Sequence, residues 1–146
     1  MVSKKVDKLL LKVQKPGRYV GGELNEVIKD KRNVDVRFAF CFPDTYEVGM
    51  SHLGMKILYS RFNLVDYIWC ERVFAPWIDM EKLMRENQIP LYALESGDPV
   101  SDFPRRDNFS ATLSGEISEA FDRYTAVAVY PLVAFLQRAN FLPRCR

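Results

Sequence analysis

Val34, Val36, Phe38, Phe40 and Phe42 alternate with Asp35, Arg37, Ala39 and Cys41. A period of two puts the first set on one side of a strand, and the second set turns apolar toward its end, so the pattern predicts a strand entering a covered sheet. Pro43 stops it. Beyond the break, Met50, Leu53, Ile57 and Leu58 fall at helical spacing and predict a helix over 49–62 with that stripe on the sheet. A second strand fits 67–74. Pro76 suits a helix start, with Asp79 and Glu81 in the first turn and Trp77, Met80, Leu83 and Met84 as a buried stripe that ends at Gln88. Pro90 to Leu94 reads as a short third strand, followed by a turn over 95–99. Strand, helix, strand, helix, strand in that order predicts an α/β fold of Rossmann-like type, a parallel sheet with right-handed crossovers.

Ahead of this unit, Val6, Leu9, Leu10 and Val13 share one helical face over 3–15, with lysines opposite. Residues 15–22, Lys-Pro-Gly-Arg-Tyr-Val-Gly-Gly, then make a loop that holds Arg18 and Tyr19. The expected organisation is an N-terminal helix and glycine-containing loop over 1–33, an incomplete Rossmann-like unit over 34–103, and a tail over 104–146.

The tail differs in composition. None of the nine lysines lies beyond Lys82, whereas six arginines lie in the last 43 residues. Helical stretches are expected at Leu113–Tyr124 and Val127–Arg138, without the turn signals of a further strand. A three-stranded sheet leaves an open edge and an uncovered face. Either the tail covers that face with helices, or the chain is an incomplete or altered reading of a longer protein. The tail is expected to be mainly helical or disordered.

At 146 residues the chain holds one domain with a proper core, and 48% hydrophobic with 27% charged residues is an ordinary globular balance. A net charge of +2 is too mild to argue for nucleic acid and does not exclude RNA. The basic start lacks a signal-peptide cleavage site, and the longest run without charged or strongly polar side chains, 126–136, is too short to span a membrane and contains Pro131. A soluble cytoplasmic protein is expected. Cys41, Cys70 and Cys145 form neither a disulfide framework nor a metal motif.

Four blocks carry a family resemblance: 15–19 (KPGRY), 42–54 (FPDTYEVGMSHLG), 71–81 (ERVFAPWIDME) and 94–97 (LESG). Over roughly residues 15–103 they resemble the N-terminal part of a family of radical S-adenosylmethionine (SAM) proteins with a cobalamin-binding-like domain. The resemblance implies that such a domain precedes a barrel whose Cys-x-x-x-Cys-x-x-Cys thiolates hold a 4Fe-4S cluster and whose fourth iron binds SAM. This sequence contains no such triplet, so no radical chemistry is expected from this chain alone. Its partner would be the barrel of the full-length protein. The family would also continue past Phe103 into another apolar strand, where this chain has Pro-Arg-Arg-Asp. A truncated fragment with a divergent tail is expected.

The resemblance makes Asp44, Tyr46, Glu47, Gly49 and Ser51 the candidate cofactor-binding residues, with cobalamin as the cofactor. Tyr46 stands where the Asp-x-His-x-x-Gly signature of some cobalamin domains has its cobalt-ligating histidine. A phenol is a poor replacement, so a bound corrinoid would have a lower face free of protein nitrogen. The alternative is an ordinary turn, with Asp44 capping the following helix and Gly49 permitting close packing. His52 is expected to cap or pack rather than ligate. Asp44 and Glu47 lack a convergent base or metal, so no catalytic pair and no metal site are assigned. Arg18 is either a phosphate contact or a solvated loop residue, and Trp69 and Trp77 are core or domain-contact residues. A non-catalytic interaction domain that docks the barrel or an RNA is the rival reading. A flavodoxin-like nucleotide binder is disfavoured, since no glycine-rich phosphate loop opens the first helix.

Overall fold

The computed structural model describes residues 3–103; the tail over 104–146, its expected helices and Cys145 lie outside the described residues. The elements are α1 (Ser3–Leu10), a 3-10 turn (Pro16–Tyr19), β1 (Val36–Phe42), α2 (Tyr46–Ser51), α3 (Leu53–Asn63), β2 (Ile68–Phe74), α4 (Ile78–Glu86) and a second 3-10 turn (Val100–Asp102). β1 and β2 pair in parallel, from Val36 opposite Ile68 to Phe42 opposite Phe74. The α/β class and the parallel pairing are those the alternation predicts.

Each face of the pair has its own core. Val36, Phe38, Phe40, Ile68 and Cys70 pack under Met55 and Tyr59 of α3. On the other face Cys41 and Val73 meet Val6 and Leu9 of α1, Met80 and Met84 of α4, and Ile89, Leu91, Ala93 and Phe103.

Three expectations are corrected. The helix expected over 49–62 is two helices, because His52 takes an extended conformation (φ −76°, ψ 110°): its N–H donates to Gly49 O, ending α2, and its Nδ1 accepts from Met55 N, opening α3. The break resets the helical phase. Met55 and Tyr59 therefore face the sheet, and Leu53 and Ile57, expected on it, are 70% and 52% exposed. In α4, likewise, Met80 and Met84 are buried, but Trp77 falls at the N-cap, outside the helix, and is 43% exposed.

The third correction concerns Pro90–Leu94, which forms no strand; Tyr92 makes an isolated antiparallel bridge with Pro99, and Leu94 N donates to Arg72 O at 2.8 Å. Side chains occupy the β2 edge instead. Asn63 Oδ1 accepts from Cys70 N and Asn63 Nδ2 donates to Cys70 O, both at 3.0 Å. Lys29 Nζ donates to Ile68 O at 2.6 Å, and Glu95 Oε2 accepts from Arg72 N at 2.6 Å. Buried backbone groups must find partners, and once side chains supply them a third strand has little left to pair with.

Candidate functional site

The carboxyl ends of β1 and β2 meet at one face, where Ala75 N donates to Asp44 O at 2.9 Å and ties the two strand ends together. Residues 14–19 strap across it. Gln14 N donates to Asp79 Oδ2 at 2.9 Å, Trp77 N to Tyr19 Oη at 3.2 Å, and Tyr92 Oη to Tyr19 O at 3.1 Å. Arg18 joins both helix starts: its Nη2 lies 2.7 Å from Glu47 Oε1, and its guanidinium stacks 5.3 Å from the Trp77 ring centroid. Arg18 is therefore paired rather than a free phosphate contact.

The residues singled out from sequence gather here, and their polar atoms are engaged within the region. Asp44 does not cap the helix; the N-cap is Thr45, whose side chain makes no capping bond, and Asp44 Oδ1 instead accepts from Thr45 N at 2.6 Å. Tyr46 Oη donates to Glu23 Oε1 at 2.9 Å, and its ring meets Phe74 edge-on at 5.5 Å. Burial, reinforced by the Glu23 carboxylate, pushes the Tyr46 phenol up to about 12. Glu47 accepts from Arg18 and, at 3.1 Å, from Lys15; the Arg18 hydrogen bond foremost brings its carboxyl down to about 2. Ser51 Oγ donates to Val48 O at 2.8 Å. Gly49 is buried, and a Cβ there would lie 2.2 Å from Phe74 Cε1, so the close packing expected of this glycine is present. His52 caps α3 and its ring packs 5.3 Å from that of Phe42.

Under the strap, Arg18, Tyr19, Tyr46, Arg72 and Tyr92 help to line a cavity of about 30 Å³. That is room for one water. With the strap down, these residues do not fit a corrinoid.

The sequence reading missed the charge centre beneath this face. β2 carries Glu71 and Arg72 side by side, both buried, within an otherwise apolar run, and because neighbours in a strand point to opposite faces, each needs its own counter-ion. Arg72 reaches Glu95 (Nε to Oε1 2.5 Å), Glu23 (Nη2 to Oε2 2.9 Å) and the Tyr59 ring, 4.5 Å from centroid to guanidinium carbon. Burial opposes its charge, yet Glu95 and Glu23 outweigh that and raise its pKa. On the far face Glu71 Oε1 pairs with Arg37, which also binds Asp98 at 2.7 Å and Ser96 Oγ at 2.8 Å. Glu71 Oε2 is buried without a hydrogen-bond partner. Two adjacent charges inside an apolar strand were the available signal.

Against known families, residues 54–120 match the one described as "Radical SAM proteins, N-terminal". That match supports an N-terminal part of a radical SAM family protein. It begins within α3 and runs to residue 120, past the point where the sequence reading places the departure. Comparison with curated proteins and with solved structures found no match.

The radical SAM family implies a 4Fe-4S cluster and SAM in the full-length protein. The described residues do not suit such a cluster. Cys41 and Cys70 are buried on opposite faces of the sheet, and burial pushes the Cys41 thiol up to about 12 and the Cys70 thiol well above its ordinary value, away from the thiolate that iron requires. No group of three or more His, Cys, Asp or Glu suited to a metal occurs among the described residues. None of the described helices is long and apolar enough to cross a membrane.

Proposed function

We propose that this region is a non-catalytic docking module of a radical SAM iron-sulfur protein, meeting the cluster-bearing barrel of the full-length protein through its strand-end face. The closure of the 44–51 turn supports this reading: Tyr46, Glu47 and Ser51 spend their polar atoms inside the region. Beside them Trp77 and Ile78 stay exposed, at 43% and 71%. An aromatic ring held by a stacked guanidinium is the type of anchor in which interfaces concentrate their energy. Without the cysteine triplet the chain is catalytically incompetent alone. RNA is the less suited partner, since Lys15 and Arg18 on this face are already paired with Glu47. The reading places the protein in the cytoplasm, where buried free thiols stay reduced.

The cobalamin-binding-like reading draws on the position of the turn, outside the carboxyl ends of parallel strands, where open α/β sheets take ligands. Gly21 and Gly22, with φ of 69° and 82°, follow the strap in backbone conformations that glycine adopts most readily. On this reading Asp44, Tyr46, Glu47, Gly49 and Ser51 line the corrinoid site.

The docking reading is tested by mixing the chain with the separately produced barrel portion of its full-length protein. A complex should form, and the Trp77→Ala, Ile78→Glu double variant should weaken it by about tenfold or more. Unchanged affinity in the double variant contradicts the reading.

A further inference from the structure

α3 is apolar on two sides. Met55 and Tyr59 face the sheet, whereas Leu53, Ile57 and Leu64, the last at the C-cap, are 70%, 52% and 68% exposed. At 100° per residue, Leu53, Ile57, Ser60 and Leu64 fall on one line along the outside of the helix, with Lys56 on one flank and Arg61 on the other. Beside this line runs an open cleft of about 770 Å³ between α3 and residues 25–27, reaching from Gly49 and Met50 to Leu64. An outward apolar line flanked by two bases, next to a groove of this size, is what an amphipathic helix with acidic residues beside its seam would cover.

A second copy of the chain does not have that chemistry on this face. Laid against itself, α3 would set Lys56 and Arg61 against each other or against their own copies. The chain contains the complement elsewhere in its sequence. Leu113, Ile117, Ala120 and Tyr124 repeat the spacing of Leu53, Ile57, Ser60 and Leu64, and Glu116 and Glu119 lie beside that line on one flank. Because α3 carries a base on each flank, either helix direction brings that acidic flank to one of them, Lys56 or Arg61. The family match begins in α3 and ends at residue 120, so one family unit takes in the stripe from Ile57 onward and most of this complement. From Phe103 to Leu113 an extended chain reaches roughly 30 Å, enough to pass from one face of a sheet to a helix on the other.

We propose that the outward stripe of α3, Leu53, Ile57 and Leu64 between Lys56 and Arg61, is the docking site of the chain's own segment 113–124. This goes beyond the strand-end reading and is independent of it.

Limited trypsin digestion of the full chain tests it, since Arg123 lies inside the segment while Arg105 and Arg106 lie in the connection. In the wild type Arg123 should be cut about tenfold or more slowly than Arg105, because a docked site is cleaved only when it opens. The Leu53→Glu, Ile57→Glu double variant changes two exposed residues and should leave the circular dichroism of the fold intact while Arg123 becomes as labile as Arg105. The Lys56→Glu, Arg61→Glu pair should also speed cleavage, and adding Glu116→Lys and Glu119→Lys should restore protection. Equal lability of Arg105 and Arg123 in the wild type, or protection that survives the Leu53→Glu, Ile57→Glu change, overturns the proposal. A mass in solution that falls from dimer to monomer in that variant also overturns it, since a second copy would then be the occupant.

Discussion

Arg72 gives Glu95 two donors at once: its side-chain Nε lies 2.5 Å from Oε1, and its own backbone N–H lies 2.6 Å from Oε2. The carboxylate thus neutralises a buried guanidinium and closes a position on the β2 edge. Removing Glu95 leaves the buried guanidinium with Glu23 alone and the Arg72 amide without an acceptor, and breaking a buried pair in this way costs about 3–5 kcal/mol. Glu95→Ala should lower the stability of the fold by that order in urea unfolding, whereas Arg72→Met with Glu95→Leu should recover much of the loss. A Glu95→Ala chain that unfolds with the wild type would show the pair to be incidental.

Gly49 and Phe74 are in direct contact, and a Cβ at position 49 would lie 2.2 and 2.6 Å from two ring carbons of Phe74 and 3.1 Å from Phe42 Cδ1. Gly49→Ala forces the ring aside, a strain of about 1–3 kcal/mol. Phe74→Leu makes room, so the double variant should be less destabilised than the sum of the two single changes. Thermal unfolding of the four proteins in a cycle reads this directly, and strict additivity would mean that Gly49 is required for another reason.

The strap has a pH window with a definite sign. Hydrogen bonding from Arg18, with Lys15 also contributing, depresses the Glu47 carboxyl from 4.5 to about 2. A depressed acid adds stability that is present above its unfolded value and is lost as the pH falls from about 4.5 toward 2. Glu47 is partly exposed, so solvent screening makes the effect small. Fluorescence of Trp77, stacked on Arg18, should change across that window in the wild type and stay flat in Glu47→Gln. A transition of the same size in both proteins would assign it to another group.

The strands were legible because Phe38 and Phe40 alternate with residues that turn apolar only late, a signal that depends on nothing beyond the strand itself. The phase of α3 was not. His52 is an unremarkable residue in a helical stripe until its Nδ1 finds the Met55 amide, and that single cap turns Leu53 and Ile57 outward. Asn63 gives no hint in sequence that it will serve the Cys70 N–H and C=O, since edge capping by a side chain is settled only by tertiary contact. At the candidate site Asp44, Tyr46, Glu47, Gly49 and Ser51 are neighbours simply because the sequence holds them in one short stretch, and it foresaw the tight packing at Gly49. It did not foresee that Lys15, Arg18 and Glu23, distant in sequence, would occupy Glu47 and Tyr46.

The central claim is that the strand-end turn is closed on itself, and titration of the purified chain with hydroxocobalamin, followed by absorbance after gel filtration, tests it most directly. The closed turn predicts that no corrinoid stays with the protein, and that neither Tyr46→His nor Tyr46→Phe changes this. Corrinoid retained in one-to-one ratio by the wild type, and lost on Gly49→Val, would contradict the account.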